Sequence, residues 1–335
     1  MTPRERVVCA LEHRDSDVTP WSIDLTIEER NKLIHYTGNP EIEKTFGSHI
    51  TAMSFGSMEP VEGRPDYYID HFGVVWNRTV DKDIGIVDSY LLREPDISAI
   101  HALMPAFDRA ESERCMAALM EQPKTLFRIA NLGFSLFERA WTLRGMEHLL
   151  MDMVENEDFV DALFSEITQW NMKSIEFALE YDIDGMLFGD DWGMQRGTIM
   201  GPRFWRRFLK PHLARMYGRV RQAGKFVMQH SCGDISELYP DLVEIGLNAH
   251  QTFQPEIYDI DEIKRRYQGK LAFWGGISTQ RLLPFASADE VRRETARIIS
   301  VMGKGGGFIA APTHAIPPDV PVENVLAMVD VFKSQ

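Results

Sequence analysis

From residue 123 onward the chain alternates short apolar runs with longer amphipathic stretches, and this alternation most limits the folds open to it. The apolar runs fall at 125–130, 185–189, 225–229, 247–251, 271–274 and 307–311. Helical patterns cover 135–154, 158–181, 202–223, 235–245, 259–267 and 322–332, and the capping box Ser287-Ala-Asp-Glu290 opens another helix running to about 302. Strands separated by helices predict βα units and a parallel sheet. Six such strands, with one or two weaker ones earlier (21–24 among them), predict a (β/α)8 TIM barrel. The competing arrangement is a doubly wound open sheet, but no Gly-x-Gly-x-x-Gly follows the first strand. Gly303-Lys-Gly-Gly-Gly307 precedes a strand instead of opening a helix, so it reads as a turn.

The N-terminal third differs. Thr2, Pro3 and Glu5 form a capping box for a helix to about 13, and 28–36 and 40–46 read as further short helices. The stretch 70–92 is rich in Val, Ile, Trp and Tyr and breaks at Asp81-Lys-Asp83. It predicts a β-hairpin insertion laid over one end of the core. The expectation is therefore one domain over 1–335, a barrel with a hairpin insertion and extra N-terminal helices.

Composition narrows the function. The formal charge of −14 leaves no basic excess to displace counterions, which argues against nucleic acid. Arg203, Arg206, Arg207 and Lys210 have the spacing of a solvated helix face. No apolar stretch approaches the roughly 20 residues of a membrane span. The N-terminus shows no apolar leader, and Cys9, Cys115 and Cys232 cannot form a disulfide framework, so a cytoplasmic protein is expected.

In a barrel the chemistry gathers where the strands end at their C-terminal side. The expected ends carry Asn131, Asp190-Asp191-Trp192, His230-Ser-Cys232, Gln251, Trp274 and Pro312-Thr-His314. Alternate residues of a strand project to one side, so His230 and Cys232 form a half-site for a thiophilic ion such as zinc. His314 is the natural third ligand, leaving the open fourth position of a catalytic zinc. Glu256 or Gln254 could also reach the ion. Asp190 and Asp191 cannot both face inward. One of them is the expected catalytic acid, orienting substrate or handling a proton, and the other points to the helix layer or caps a turn. Asn131, Trp192, Gln251 and Trp274 are expected to bind substrate, with Met194, Phe134 and Phe253 as further apolar wall.

The chain resembles a known family in several places. The opening Arg4-Glu-Arg-Val-Val-Cys-Ala-Leu-Glu-His13 with Val18-Thr-Pro20 is similar to the start of uroporphyrinogen decarboxylase-like proteins. So are Phe188-Gly-Asp-Asp191, His230-Ser-Cys-Gly-Asp-Ile235, Gly275-Gly-Ile277, Gly305-Gly-Gly-Phe-Ile309 and Ile316-Pro-Pro-Asp-Val320. The resemblance implies a TIM barrel with one of two activities. One branch decarboxylates the acetate arms of uroporphyrinogen without a cofactor, using an Arg-rich segment after the first strand. Here that segment, 21–30, offers acids and only Arg30, which disfavours an octa-anionic substrate. The other branch consists of zinc methyltransferases working with corrinoid proteins, and carries a His-x-Cys after a central strand and a further Cys late in the chain. His230 and Cys232 match the first motif, and His314 stands at the late position. The resemblance thus implies Zn2+ on His230, Cys232 and His314, a corrinoid (methylcobalamin) carried by a partner protein, and a small methylated substrate. With one thiolate ligand the zinc would be a stronger Lewis acid, which favours O-demethylation of a methoxylated compound. The alternatives are a metal-free decarboxylase and a non-catalytic corrinoid- or tetrapyrrole-binding protein.

Overall fold

The computed structural model describes all residues, 1–335. The first strand is β1 (Ile50–Ser54). A separate antiparallel sheet follows, made of β2 (Met58–Pro60), β3 (Tyr67–Asp70), β4 (Val75–Asn77) and β5 (Ile86–Val87), paired in that order. The parallel series then runs β6 (Phe127–Leu132), β7 (Gly185–Gly189), β8 (Phe226–His230), β9 (Ala249–Phe253), β10 (Ala272–Ile277) and β11 (Phe308–Pro312). With β1 at its edge it forms a seven-stranded sheet in sequence order, β1-β6-β7-β8-β9-β10-β11.

The eighth position is filled by residues 21–25, which form isolated bridges instead of a regular strand. Trp21 bridges Ala310 and Leu25 bridges Ile316, both in parallel. On the other side the His49 N–H donates to the Trp21 carbonyl at 2.8 Å. This segment therefore links β11 to the chain entering β1 and closes the curl, as the TIM-barrel reading requires.

Three expectations change in detail. The insertion is a four-stranded sheet beginning at Met58, larger than the hairpin expected at 70–92. The helix expected at 135–154 is two, Phe137–Arg144 and Met146–Glu155, because Gly145 takes φ +90° between them. The stretch between the insertion and β6, unassigned from sequence, holds helices Ile97–Leu103 and Arg109–Glu121, N-capped by Asp96 and Asp108. No helix is long and apolar enough to cross a membrane.

The inside of the barrel explains where a site can be. Phe127 and Ile129, Leu187, Met228, Ala249, Ala272 and Trp274, and Ile309 and Ala311 pack inward, and Val7, Ala10 and Leu11 of helix Pro3–Leu11 plug the lower end. Because strand side chains alternate, the next inward position one step up each strand stands above this plug. Ile129 leads to Asn131, Met228 to His230 and Ala249 to Gln251. The upper end is thus floored by core and walled by polar side chains.

Candidate metal and substrate site

That upper end encloses a cavity of about 420 Å3, lined by Asn131, Phe134, Glu138, Asp191, His230, Gln251, Trp274 and His314 among others. A second hollow of about 190 Å3 reaches Cys232 and His314 from the other side. The putting-together of the three predicted ligands begins with register. His230 lies opposite Gln251 on β9, and its Nδ1 sits 2.9 Å from Gln251 Oε1. A carbonyl oxygen accepts only, so this contact assigns the proton to Nδ1 and leaves the Nε2 lone pair free. Nε2 faces Cys232 Sγ at 3.7 Å. The rings of His230 and His314 are 5.8 Å apart, and one donor atom from each of His230, Cys232 and His314 lies within 4.8 Å of the others. Tetrahedral zinc with N and S ligands sets its donors roughly 3.4–3.6 Å apart, so small side-chain shifts would bring this trio onto an ion.

The donor chemistry fits as well. Desolvation in the cavity wall, although the residue keeps an exposed edge, holds His314 below the ordinary imidazole value and favours its neutral form, with the lone pair available. Burial and the nearby Asp191 carboxylate push the Cys232 thiol up to about 12; a thiol so placed becomes a thiolate only beside a cation. Two glycines bring the ligand loop against its neighbour. A Cβ on Gly233, which has φ +76°, would stand 2.3 Å from the Gly193 backbone, and one on Gly193 would stand 2.5 Å from the Cys232 carbonyl. Only glycine at both positions lets these loops touch.

The acid pair divides as strand alternation demands. Asp191 lines the cavity, accepts the Cys232 N–H at 2.7 Å and lies 3.5 Å from His230 Nε2. Asp190 is fully buried on the opposite face. It accepts N–H bonds from Leu136 (3.4 Å), Phe137 (3.0 Å) and Glu138 (2.7 Å), capping helix Phe137–Arg144, and from the Trp192 indole (2.7 Å). Asp190 is therefore not a cavity acid; its carboxylate holds a helix start. Trp192 is also not a substrate wall. It is fully buried, packs on Trp205 with centroids 5.4 Å apart, and donates its backbone N–H to Ser231 Oγ at 3.0 Å.

Asn131, Gln251 and Trp274 do reach the cavity. Asn131 also donates to Ser54 Oγ at 2.9 Å, and the Trp274 indole to Ser22 Oγ at 2.9 Å. Phe134 forms wall, whereas Phe253 is core, stacked on Tyr258, and Met194 lines only the smaller hollow. Gln254 accepts the Gly233 N–H at 3.1 Å, a brace behind the ligand loop. Glu256 turns to the Ser278 hydroxyl, away from the trio.

Two acids of the cavity were not singled out in the sequence. Glu138 projects from the first turn of the helix that Asp190 caps, and burial together with Asp191 and Asp190 pushes its carboxyl well above the usual range. Asp24 enters from the irregular eighth position. A strand-end rule overlooks both, because one lies on a helix and the other on a segment with only isolated bridges. Ile84, from the loop before β5, also lines the cavity, so the small sheet overhangs the mouth.

A closed parallel barrel with a polar cavity at its C-terminal end, holding a convergent His/Cys/His trio, defines a TIM-barrel enzyme. Residues 133–335 match the family described as Uroporphyrinogen decarboxylase (URO-D). The chain belongs to that family. It is 35% identical over 262 residues to a uroporphyrinogen decarboxylase of Legionella pneumophila, covering 70% of this chain and 67% of that protein. It is 26% identical over 131 residues to the methylcobamide:CoM methyltransferase MtaA of Methanosarcina barkeri, covering 39% and 36%. The match to a uroporphyrinogen decarboxylase of Thermus thermophilus, 27% identical over 175 residues, spans 47% of that protein's length, about half. Among solved structures, a methyltransferase from Methanosarcina mazei superposes with a TM-score of 0.74 at 16% identity, covering 100% of this chain and 99% of that one, which establishes the shared fold.

Proposed function

We propose that this protein is a zinc-dependent methyltransferase, passing a methyl group between a small methylated substrate and a corrinoid carried by a partner protein. The observation that carries the reading is the convergence of His230, Cys232 and His314 at the cavity wall, with the Gln251 contact turning the His230 lone pair toward the other two. When bound there, zinc would supply Lewis-acid activation of the substrate heteroatom. The chain's own residues do the rest. Gln251 holds the His230 tautomer and ring plane. Asp191 fixes the Cys232 backbone from inside the cavity. Glu138, whose carboxyl burial and the neighbouring Asp191 push well above the usual range, lines the same cavity and is placed to pass a proton to a departing oxygen. Phe134 and Trp274 supply apolar wall. A single thiolate among the ligands favours an oxygen-bound methyl group, hence O-demethylation of a methoxylated compound. The corrinoid partner would approach the mouth beside the overhanging loop that carries Ile84. The same reading expects a cytoplasmic protein.

The family match also supports a second reading, metal-free decarboxylation, but the cavity lining contains no Lys or Arg to receive the acetate arms of a tetrapyrrole. Elemental analysis of the wild type and Cys232→Ser decides between them. The methyltransferase reading expects near one zinc per chain, lost in the variant together with methyl transfer. Turnover that persists without metal and in Cys232→Ser supports decarboxylation.

A further inference from the structure

The charge of the cavity says what kind of substrate it admits. Its lining holds three carboxyl groups, Asp24, Glu138 and Asp191, two histidines, and not one lysine or arginine; the smaller hollow beyond Cys232 has no lysine or arginine either. The cations nearby are already engaged. Arg139, behind Phe134, is buried and pairs with Asp70 at 2.7 Å. Arg30 pairs with Glu43 at 2.7 Å. Asp191 is partnered by the Cys232 N–H. The carboxylate of Asp24 makes no hydrogen bond or ion pair to any side chain or backbone group, although its own carbonyl is tied to Ile316 N–H at 2.9 Å, which anchors the residue beside the loop of His314. Asp24 is open to the cavity, so its carboxylate, free of protein partners, is available to a donor that a ligand brings.

We infer that the substrate of this site carries a positively charged nitrogen, held by Asp24 and reaching toward Glu138, and that the cavity rejects carboxylates and sulfonates. The inference rests on the methyltransferase reading for the word substrate, and on the cavity alone for the selection by charge. A zinc ion with the Cys232 thiolate and the Asp191 carboxylate sums to zero formal charge; desolvation raises the Asp24 carboxyl, and a cationic nitrogen beside it favours its ionised form, so a cation and Asp24 suit each other in the remaining space where an anion does not. Phe134 and Trp274 add aromatic surface, which suits an alkylated or benzylic ammonium. A volume of about 420 Å3 lies near the lower end of the roughly 300–1,000 Å3 of ligand pockets, enough for one substituted ring.

The test uses three ligands of nearly one shape, each with an aryl methyl ether: 4-methoxybenzylammonium, 4-methoxybenzyl alcohol and 4-methoxybenzoate. Their dissociation constants are measured by calorimetry on the zinc-loaded protein at pH 7 and low salt. The expected order is ammonium tightest, then alcohol, then benzoate, with the ammonium at least about tenfold tighter than the benzoate. Asp24→Asn should bring the ammonium close to the alcohol and leave the alcohol unchanged; Asp24→Lys should turn the order round. Benzoate binding as tightly as the ammonium, or an ammonium affinity indifferent to Asp24→Asn and Asp24→Lys, overturns the inference. Zinc content, read on the same samples, separates the two claims. A protein that takes no zinc but keeps the order retains the charge selection and loses the methyltransferase reading. A protein that holds zinc and prefers benzoate does the opposite.

Discussion

On β8 and β9 the inward face carries His230 and Gln251, and the outward face carries Gln229 and His250. The residue types are the same and their surroundings are not. Outward, every polar atom finds a fixed partner. Gln229 binds the Tyr217 hydroxyl and the His230 carbonyl, and His250 sits between the Tyr239 hydroxyl at 3.0 Å and the Ser231 carbonyl at 3.1 Å. Asp190, on the same side, satisfies four N–H donors. Inward, the Asp24 carboxylate has no protein partner, and His230 Nε2 meets only the loosely placed Cys232 thiol at 3.7 Å and Asp191 at 3.5 Å beside His314. Buried polar groups that are fully paired specify structure, whereas groups held in place with capacity to spare are available for a ligand. Neighbouring positions one residue apart thus separate scaffold from chemistry.

The sharpest way to break this comparison is at the adjacent acids. Asp190→Ala strands four donors in a dry site and should cost about 3–5 kcal/mol of stability, read as a fall in urea midpoint at constant slope. A midpoint near wild type would mean that Asp190 is not the helix cap described above. Next in size, Gln251→Leu should weaken zinc binding about 10–100-fold in competition with a chelator while leaving the fold intact, because it frees the His230 tautomer. Unchanged affinity would remove the role given to that contact.

The outward histidine gives a pH signature. Burial holds His250 down to about 4. It is neutral in the fold, whereas in the unfolded chain it protonates below about 6.5. Its contribution to stability is therefore complete above pH 6.5 and lost as pH falls toward 4, at roughly 1.4 kcal/mol per pH unit. Urea midpoints at pH 7.5 and 5.5 should differ more in the wild type than in His250→Asn; parallel shifts in the two proteins would show that His250 is not the titrating group. The smallest effect belongs to the inward acid. Asp191→Asn should stay within about 1 kcal/mol of wild-type stability, since an amide oxygen still accepts from the Cys232 N–H. A loss as large as that of Asp190→Ala would erase the distinction between the faces.

Much of this was legible in the chain. The six strands after residue 123 stand where their apolar runs lie, within a few residues, because parallel strands buried on both faces read as continuous apolar segments. The His-x-Cys at 230–232 and His314 were visible because each follows such a run directly. The short β1 and the irregular 21–25 segment were weak or invisible, since neither has a long apolar run and both depend on neighbours for their hydrogen bonds. The small sheet exceeded its sequence signal for the same reason: β2 and β5, of three and two residues, exist only as partners of β3 and β4.

The sequence alone determined the βα alternation, the family and the candidate trio His230, Cys232 and His314, because periodicity and motif are local properties of the chain. It also determined that only one of Asp190 and Asp191 could face inward, since alternation is a property of any strand. Which one does so was decided by tertiary structure, through the helix start at 136–138 that needed an acceptor. The same packing brought Glu138 from a helix and Asp24 from a bridging segment into one cavity with the His/Cys/His trio. Convergence of side chains from separate elements depends on how the barrel closes, and closure is a long-range event that no local pattern encodes.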